Sequence, residues 1–499
     1  ELKKIDKKER RKQIGEVMEL TKITSMQDRL IQNLSKGYKQ RVGLAQAILG
    51  YPKIIILDEP TVGLDPMQII EIRQLIKSLG KKHTVILSSH ILPEVSAVCD
   101  HIMIIAHGRL AASDTPENLS RLMSGDNVLS MQLCGTEDAV RAAEKELKEV
   151  LRDVPGADEA ARAAAHAHWA RLAKPLGGLG RLETTIEDAA ALTGSAKLDI
   201  SRRAVLVLCA DNGVVAQGVS QTDSSVTRAV AENLAARRTS VCRMAQTARC
   251  EVVPVDMGIA GDPVPGVLDC RIAPGTADFT LGPAMSRAEA VEAIGRGIRL
   301  VQEQKKVGVG LLATGEMGIG NTTTSSAVAA VLLGQPVEVM TGRGAGLSDE
   351  GLARKLDAIH RGIAKSQPDS ADALDVLAKL GGFDIAGLCG VFLGGALEGV
   401  PVLADGFISC VAALCAVRFC PAAAKAVFAS HCSTEPAAKL VLDALNKKAL
   451  ITAGLHLGEG TGAVAAIPLW DMALAVYDGC YSFAEGGIDA YTPQGGAGC

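Results

Sequence analysis

A glycine-rich segment with polar side chains, TGEMGIGNTTTSS, occupies residues 314–326. From Gly315 to Thr322 it fits the phosphate-binding pattern G-x-x-x-x-G-K-[ST], except that Asn321 stands at the position of the lysine. The free N–H groups and the dipole of a helix that begins there favour an anion. Because the pattern lacks both the lysine and a nearby pair of carboxylates for Mg²⁺, we expect a site for a single phosphate. A glycine-rich connection with ordinary capping by Thr322 and Thr323 is the alternative.

Two further glycine loops lie close to charged side chains. LHLGEGTGA (455–463) places Glu459 between two glycines, so its carboxylate lies close to the backbone and to any ligand. Burial there would raise the pKa of Glu459 toward that of a useful base, whereas a turn glutamate in water is the alternative. MTGRGAGLS (340–348) opens a helix that carries Arg354 and Lys355, for which solvated helix charges are the default.

The first 123 residues contain four segments that suit ATP hydrolysis: LSKGYKQR (34–41), IIILDEP (54–60), VGLDP (62–66) and LSSH (87–90). The apolar run IIIL predicts a buried strand that presents Asp58 to Mg²⁺ and Glu59 to a water molecule. His90 follows a second apolar run, where an imidazole would sense a γ-phosphate. A strand that ends in Asp-Glu is often only a polar strand end, but four such segments in this order and spacing indicate an ATPase.

This N-terminal region, about residues 1–123, resembles the latter part of an ATP-binding-cassette ATPase of the kind that powers export systems. The resemblance implies that Ser35 and Gly37 touch the ATP of a partner subunit. It also assigns Mg²⁺ binding to Asp58, the role of catalytic base to Glu59 and γ-phosphate sensing to His90. The phosphate loop, adenine-contacting segment and glutamine-bearing loop of that family are expected before residue 1. The glycine-rich loop described above follows the four segments and lacks the lysine, so it is not the missing phosphate loop.

The second half of the sequence must supply the elements that position its glycine loops. Apolar runs of strand length alternate with helical patterns: AVLVLCA (204–210), EVVPVDM (251–257), KVGVGLLAT (306–314), CGVFLGG (389–395), PVLAD (401–405) and AKAVFAS (424–430). Runs that do not alternate in polarity and are separated by helices predict a parallel sheet covered on both faces. Glycine and polar residues follow each run, so a ligand crevice is expected at the C-terminal ends of the strands.

We therefore predict an α/β protein. Its main part is a Rossmann-like parallel sheet with helices on both faces plus a small helical subdomain, preceded by a partial P-loop-type α/β ATPase fragment. The expected domains are an ATPase-like segment over 1–123, a junction over 124–154 and a second α/β domain over 155–499, with a change of composition near Val154–Gly156.

Composition excludes several classes of protein. The net charge is −4 and aromatic residues make up 3% of the chain, which argues against nucleic acid as a partner. The longest charge-free apolar stretches are shorter than the roughly 18–20 residues of a membrane helix, and no secretory signal opens the sequence. A cytoplasmic location is therefore expected. The 13 cysteines form no C-x-x-C pair and the nine histidines show no metal-ligand spacing, so we expect buried reduced thiols and no metal.

Seven motifs, in order, resemble the family of nicotinate-nucleotide:dimethylbenzimidazole phosphoribosyltransferases. They are KPLGGLGRLE (174–183), DNGVVAQGVS (211–220), TGEMGIGNTTT (314–324), TGRGAG (341–346), LADGFIS (403–409), SHCSTEP (430–436) and LGEGTGA (457–463). The resemblance covers about Pro155 to Thr492. It implies that nicotinate mononucleotide exchanges nicotinate for 5,6-dimethylbenzimidazole and gives α-ribazole 5′-phosphate for the lower ligand of cobalamin.

The resemblance also implies residue roles. Glu459 would be the base that removes the benzimidazole proton. The residues implied around the nucleotide are Gly315, Glu316, Gly318, Gly320, Asn321, Thr322 and Lys355. Those implied to line the benzimidazole pocket are Ser220, Asp405, Gly406 and Phe407. Arg228 follows Val226-Thr227 where the family often has glutamine, and this departure bears on the preferred base.

The same resemblance implies a homodimer with sites near the subunit interface and requires no cofactor. Two other function classes remain open from the residues. A cassette ATPase subunit coupled to a membrane exporter would hydrolyse ATP without added benzimidazole. A noncatalytic binding module would require a broken Glu459 or a broken phosphate loop, and both are intact.

Overall fold

The computed structural model describes residues 6, 9–34, 36–58, 60, 66–81, 83–88, 95, 98–106, 109–115 and 137–491. The chain divides into two compact units, Glu1–Val128 and Leu129–Cys499. Among the described residues, no helix combines the length and the apolar character needed to cross a bilayer.

The described part of the N-terminal unit contains helices and two pairs of strands. The helices are α1 (Arg10–Leu20), α2 (Lys36–Ile48) and α3 (Pro66–Gly80), and the strands are β1 (Ile54–Asp58), β2 (Thr84–Ser88), β3 (Ile102–Ala106) and β4 (Arg109–Asp114). β1 pairs with β2 in parallel and β3 pairs with β4 antiparallel. The strand predicted at IIIL is present but only half buried, because Ile55 and Leu57 face the core whereas Ile54 and Ile56 are 56% and 72% exposed.

The C-terminal unit is built on a six-stranded parallel sheet. Its strands are β5 (Arg203–Ala210), β6 (Glu251–Gly258), β7 (Leu268–Asp269), β8 (Leu311–Met317), β9 (Val402–Ala404) and β10 (Val427–Ala429). They follow the order β10-β9-β8-β5-β6-β7, and every pairing is parallel. Every residue of the central strand β5 is buried, so both faces of the sheet are covered. The predicted α/β parallel-sheet fold is confirmed.

Helices surround this sheet. They are α4 (Glu137–Arg152), α5 (Glu159–Arg171), α6 (Arg181–Thr193), α7 (Ser225–Ala235), α8 (Ser240–Thr247), α9 (Arg287–Lys306), α10 (Asn321–Leu333), α11 (Val337–Met340), α12 (Asp349–Ser366), α13 (Ala373–Leu380), α14 (Phe383–Glu398), α15 (Gly406–Phe419), α16 (Ala438–Ala444) and α17 (Thr461–Gly479). Although α4 comes from the segment predicted as a junction, its Leu147 and Leu151 lie in the core of the C-terminal unit. The predicted domain limits remain a prediction.

One predicted strand is a helix. CGVFLGG (389–395) belongs to α14, which is buried at every position from Phe383 to Ala396. A short apolar run does not distinguish a buried strand from a buried helix, which explains the error. The glycines of this segment serve helix packing: a Cβ on Gly390 would lie 2.0 Å from the carbonyl oxygen of Ile294 in α9.

Candidate active site

A cavity of about 240 Å³ opens at the carboxyl ends of β8 and β9. Of the predicted site residues, it is lined by Glu316, Gly318, Asn321, Thr322, Asp405, Gly406, Phe407 and Glu459. The other lining residues are Met317, Ile319, Gly344, Ala345, Ile408, His431, Ser433, Glu435, His456, Leu457 and Gly458. The crevice expected at the strand ends is therefore present, and three separate glycine loops meet there.

Lys355 supplies the positive charge that the loop at 314–326 lacks. Its side chain is fully buried, and Nζ donates to Thr322 Oγ1 at 2.9 Å and to the carbonyl oxygen of Gly342 at 3.0 Å. Burial lowers the pKa of Lys355 to about 8, and Glu435 offsets part of this shift. The expectation of a solvated helix charge is wrong for Lys355, whereas the neighbouring Arg354 is exposed. A buried ammonium beside a helix start is suited to binding an anion.

The start of α10 carries the hydroxyl groups of the same loop. Gly320 precedes the helix with a φ of 91°, a left-handed conformation that glycine adopts readily. Among the described residues, no side chain caps this helix start. Thr322 instead lines the cavity and accepts from Lys355. This arrangement favours an anion site over the alternative of ordinary threonine capping.

The side chain of Asn321 joins two buried carboxyl groups. Its Nδ2 donates to Glu316 Oε2 and, at 3.1 Å, to Asp384 Oδ2. Burial is the main cause that raises the pKa of Glu316 to about 8 and that of Asp384 to about 6. The sequence analysis missed Asp384, whose only signal was an acidic residue at the start of an otherwise apolar helix.

Glu459 also lines the cavity, and its backbone is in a strained conformation. Its φ is 59°, between Gly458 at 84° and Gly460 at 90°. Burial raises the pKa of Glu459, while the Val241 N–H and the Thr239 hydroxyl lower it in part. Its Oε2 is buried and has no hydrogen-bond partner among the described residues. A half-buried carboxylate of this kind suits a general base.

Asp405 lines the cavity, and its carboxylate is bound to the backbone of the neighbouring loop. Its Oδ2 accepts from the N–H of Gly460 at 2.8 Å, and its Oδ1 accepts from Gly462 at 2.8 Å and Ala463 at 3.0 Å. Burial raises the pKa of Asp405, and the nearby His431 opposes that shift. Asp405 thus fixes the start of α17, whereas Phe407 supplies an apolar wall.

Ser220 and Arg228, which bear on the choice of the nucleotide base, are not among the described residues that line the cavity. Ser220 is not among the described residues that line the cavity, and its Oγ accepts from the Thr222 N–H at 3.4 Å. Arg228 donates to the carbonyl oxygen of Asp262 at 2.6 Å and pairs with Glu232 at 3.2 Å. Within this unit, Arg228 therefore points to neighbouring backbone and an acidic side chain.

The remaining predicted residues support the site or belong to the N-terminal unit. Gly315 lies beneath Glu459, because a Cβ there would come 2.6 Å from the Glu459 carbonyl oxygen. Ser35, Glu59 and His90 lie outside the described residues, as do most of VGLDP and the end of LSSH. Gly37 lies within α2. Asp58 is exposed, accepts from Ser88, and lines a separate cavity of about 210 Å³.

Comparison with known proteins matches both parts of the chain. A family model described as phosphoribosyltransferase (DBI_PRT) matches residues 154–488, and one described as ABC transporter matches residues 1–62. A nicotinate-nucleotide–dimethylbenzimidazole phosphoribosyltransferase of Acetivibrio thermocellus is 45% identical over 324 residues, 65% of this chain and 92% of that protein. One of Roseiflexus sp. is 43% identical over 344 residues, 68% of this chain and 98% of that protein. The crystal structure of CobT from Thermus thermophilus matches with a TM-score of 0.63 and 38% identity, over 66% of this chain and 99% of that one.

Proposed function

We propose that this chain, which belongs to the family of nicotinate-nucleotide–dimethylbenzimidazole phosphoribosyltransferases, transfers the phosphoribosyl group of nicotinate mononucleotide to 5,6-dimethylbenzimidazole. The products are α-ribazole 5′-phosphate and nicotinate, which places the reaction in the synthesis of the cobalamin lower ligand.

One cavity carries this proposal. Its lining includes Thr322, which is suited to an anion, and Glu459, a carboxyl group with a raised pKa. Thr322, which accepts a hydrogen bond from the buried Lys355, lines this cavity and would contact a single phosphate there. Glu459 lines the same cavity. A nucleoside monophosphate anchored by its phosphate would therefore present its ribose within the cavity that Glu459 lines.

The chemistry needs few protein groups. A ring nitrogen of the benzimidazole attacks C1′ of the ribose, and the bond from C1′ to the pyridinium nitrogen breaks with its electron pair going to nicotinate. The leaving group is already cationic, so its departure requires no general acid. The proton on the other benzimidazole nitrogen becomes acidic as the new bond forms, and Glu459 accepts it.

The direct test is the reaction itself. The purified full chain with nicotinate mononucleotide and 5,6-dimethylbenzimidazole should release nicotinate and α-ribazole 5′-phosphate in equal amounts, measured by mass spectrometry. Release of nicotinate without the benzimidazole would mean hydrolysis and contradict the transfer. ADP release from Mg·ATP without benzimidazole would instead support the cassette ATPase alternative.

The finer features of the proposal are a cytoplasmic location and a homodimer. The first rests on the apolar runs of the sequence, each too short for a membrane helix. The second rests on the family resemblance, and sedimentation of the full chain tests it. The preferred base is proposed to be 5,6-dimethylbenzimidazole despite Arg228, because Arg228 contacts Asp262 and Glu232.

A further inference from the structure

Two carboxyl groups of the cavity region share one hydrogen-bond donor. Asn321 Nδ2 donates to both Glu316 Oε2 and Asp384 Oδ2, and both acidic side chains are buried. Burial disfavours the charged form of each carboxyl group, and two neighbouring carboxylates repel each other when both are ionised. The pair therefore favours keeping one proton at neutral pH.

The surroundings of the two groups decide which one keeps the proton. Asp384 lies in the first turn of α14, and its Oδ1 accepts from the Ile385 N–H at 2.9 Å. The N-terminal end of a helix stabilises a negative charge. Among the described residues, Glu316 accepts from the Asn321 side chain but from no comparable backbone donor, and it faces the negative charges of Asp384, Asp405 and Glu459.

We propose that Asp384 is a positioning residue for Glu316. The Asn321 amide joins the two side chains, and the negative charge of the ionised Asp384 keeps the proton on Glu316. Glu316 therefore faces the cavity as a neutral hydrogen-bond donor. Glu316 Oε1 lies at the cavity side, where a Cβ on Gly458 would come within 2.7 Å of it. The cavity then holds Glu459 as a base and Glu316 as a donor, rather than two competing bases.

The ordering of the two pKa values agrees with this assignment. Burial raises the pKa of Glu316 to about 8, with Asp384 as the next cause, and the Asn321 hydrogen bond opposes the rise. Burial raises the pKa of Asp384 to about 6, while Asn321 and the backbone N–H groups hold it lower and Asp211 raises it. Cys209, buried against these acids, has its own pKa raised by burial and stays a neutral thiol.

A spectroscopic test needs no substrate. Infrared difference spectra of the ligand-free full chain, titrated from pH 5 to pH 10, should show a protonated-carboxyl band that persists at pH 7 and disappears in Glu316→Gln. In Asp384→Asn the band of Glu316 should titrate at lower pH, because the neighbouring negative charge is gone. Asp443→Asn, which alters an exposed carboxylate paired with Lys439, is the matched control and should leave the band unchanged.

A kinetic test rests on the proposed function and adds the catalytic consequence. With saturating nicotinate mononucleotide, whose phosphate keeps Lys355 protonated, kcat/KM for the benzimidazole should fall roughly tenfold from pH 7 to pH 9 as Glu316 loses its proton. Glu316→Gln should lose this pH-dependent fall, since an amide is a donor at every pH. In Asp384→Asn, the decrease in kcat/KM for the benzimidazole should begin at a lower pH.

Two outcomes would overturn the assignment: a band at pH 7 that survives Glu316→Gln, or a band that titrates unchanged in a folded Asp384→Asn. If Asp384→Asn does not fold, the Glu316→Gln spectrum still decides where the proton lies. A chain that shows the expected spectra but forms no α-ribazole 5′-phosphate would contradict the proposed function and leave the proton assignment standing.

Discussion

Asp405 Oδ2 lies 2.8 Å from the backbone nitrogen of Gly460, the residue that follows Glu459. Together with the two bonds that Oδ1 accepts from Gly462 and Ala463, this contact fixes the loop on which the proposed base stands. The carboxylate therefore acts on the reaction through the backbone of another residue.

Asp405→Asn should lower turnover more than substrate binding. In the variant, an asparagine Nδ2 placed against the Gly460 N–H sets two donors against each other, where the wild type has a hydrogen bond. The loop and Glu459 should therefore shift. Because a hydrogen bond to a charged group is worth about 1.5–3 kcal/mol, kcat should fall roughly ten- to hundredfold. KM for nicotinate mononucleotide should stay nearly constant, since Lys355 lies on α12 and Thr322 on α10. A raised KM with unchanged kcat would mean that Asp405 contacts the substrate.

Lys355→Met should weaken nicotinate mononucleotide binding by about 10- to 100-fold, the loss expected for a charge-assisted hydrogen bond. In the ligand-free wild type, Lys355 loses its proton as the pH rises through its pKa of about 8. Affinity should therefore decline above pH 8 in the wild type but not in the variant. Titration calorimetry at pH 7 and pH 9 measures both effects, and Lys365→Met, an exposed change on the same helix, is the control.

The same substitution should not destabilise the ligand-free protein. A lysine pKa that is lowered on folding means that the protonated form destabilises the folded state below that pKa. At pH 7, Lys355→Met should accordingly unfold at or above the wild-type temperature, measured by calorimetry. A clear drop would show that its hydrogen bonds to Thr322 and Gly342 outweigh the burial of the charge.

The contrast between Glu459 and Lys355 shows what residue types alone could predict. Flanking glycines indicated that Glu459 lies in a loop, but spacing alone left a turn glutamate in water as the alternative to the raised pKa that the structure shows. Burial of Lys355 depends on how α12 packs against the loop around Gly342, a contact between distant segments. Only the family resemblance placed Lys355 near the nucleotide.

The elements around the sheet show the same limit of prediction from sequence. Strands β5 and β6 were predicted almost to the residue, because long β-branched runs favour a buried strand. CGVFLGG was predicted as a strand because helical packing of its glycines is visible only once α9 is placed beside it. Asp384, at the start of that helix, was missed for the same reason.

Gly390→Ala should destabilise the protein without touching the site. The added methyl would lie 2.0 Å from the Ile294 carbonyl oxygen, so α9 and α14 must separate. Overpacking of a tight core costs typically about 1–3 kcal/mol of unfolding free energy, measurable by denaturant titration. Gly479→Ala, where a methyl meets no atom within 4 Å among the described residues, is the control and should stay within about 0.5 kcal/mol of the wild type. Equal effects at both positions would mean that the close helix contact is not present in solution.

Glu459→Gln separates proton transfer from nucleotide binding. Affinity for nicotinate mononucleotide should remain nearly unchanged, because the proposed phosphate contacts come from Thr322 and Lys355. Turnover should fall by roughly 10²–10⁴, the loss expected for a positioned general base. Binding by calorimetry and single-turnover rates by rapid quench measure the two quantities separately.

The pH dependence supplies the second constraint on Glu459. A base must be deprotonated to act, so wild-type turnover should decline on the acid side as the pH falls through the raised pKa of this carboxyl. The glutamine variant has no such group and should lose that acid limb. Asn321→Lys should behave differently, since an added ammonium beside Glu316 and Asp384 changes the buried hydrogen bonds before it changes proton transfer. Near-normal turnover in Glu459→Gln would transfer the role of base to Glu316 or to water, and a transfer to Glu316 would also contradict a Glu316 that is neutral at pH 7.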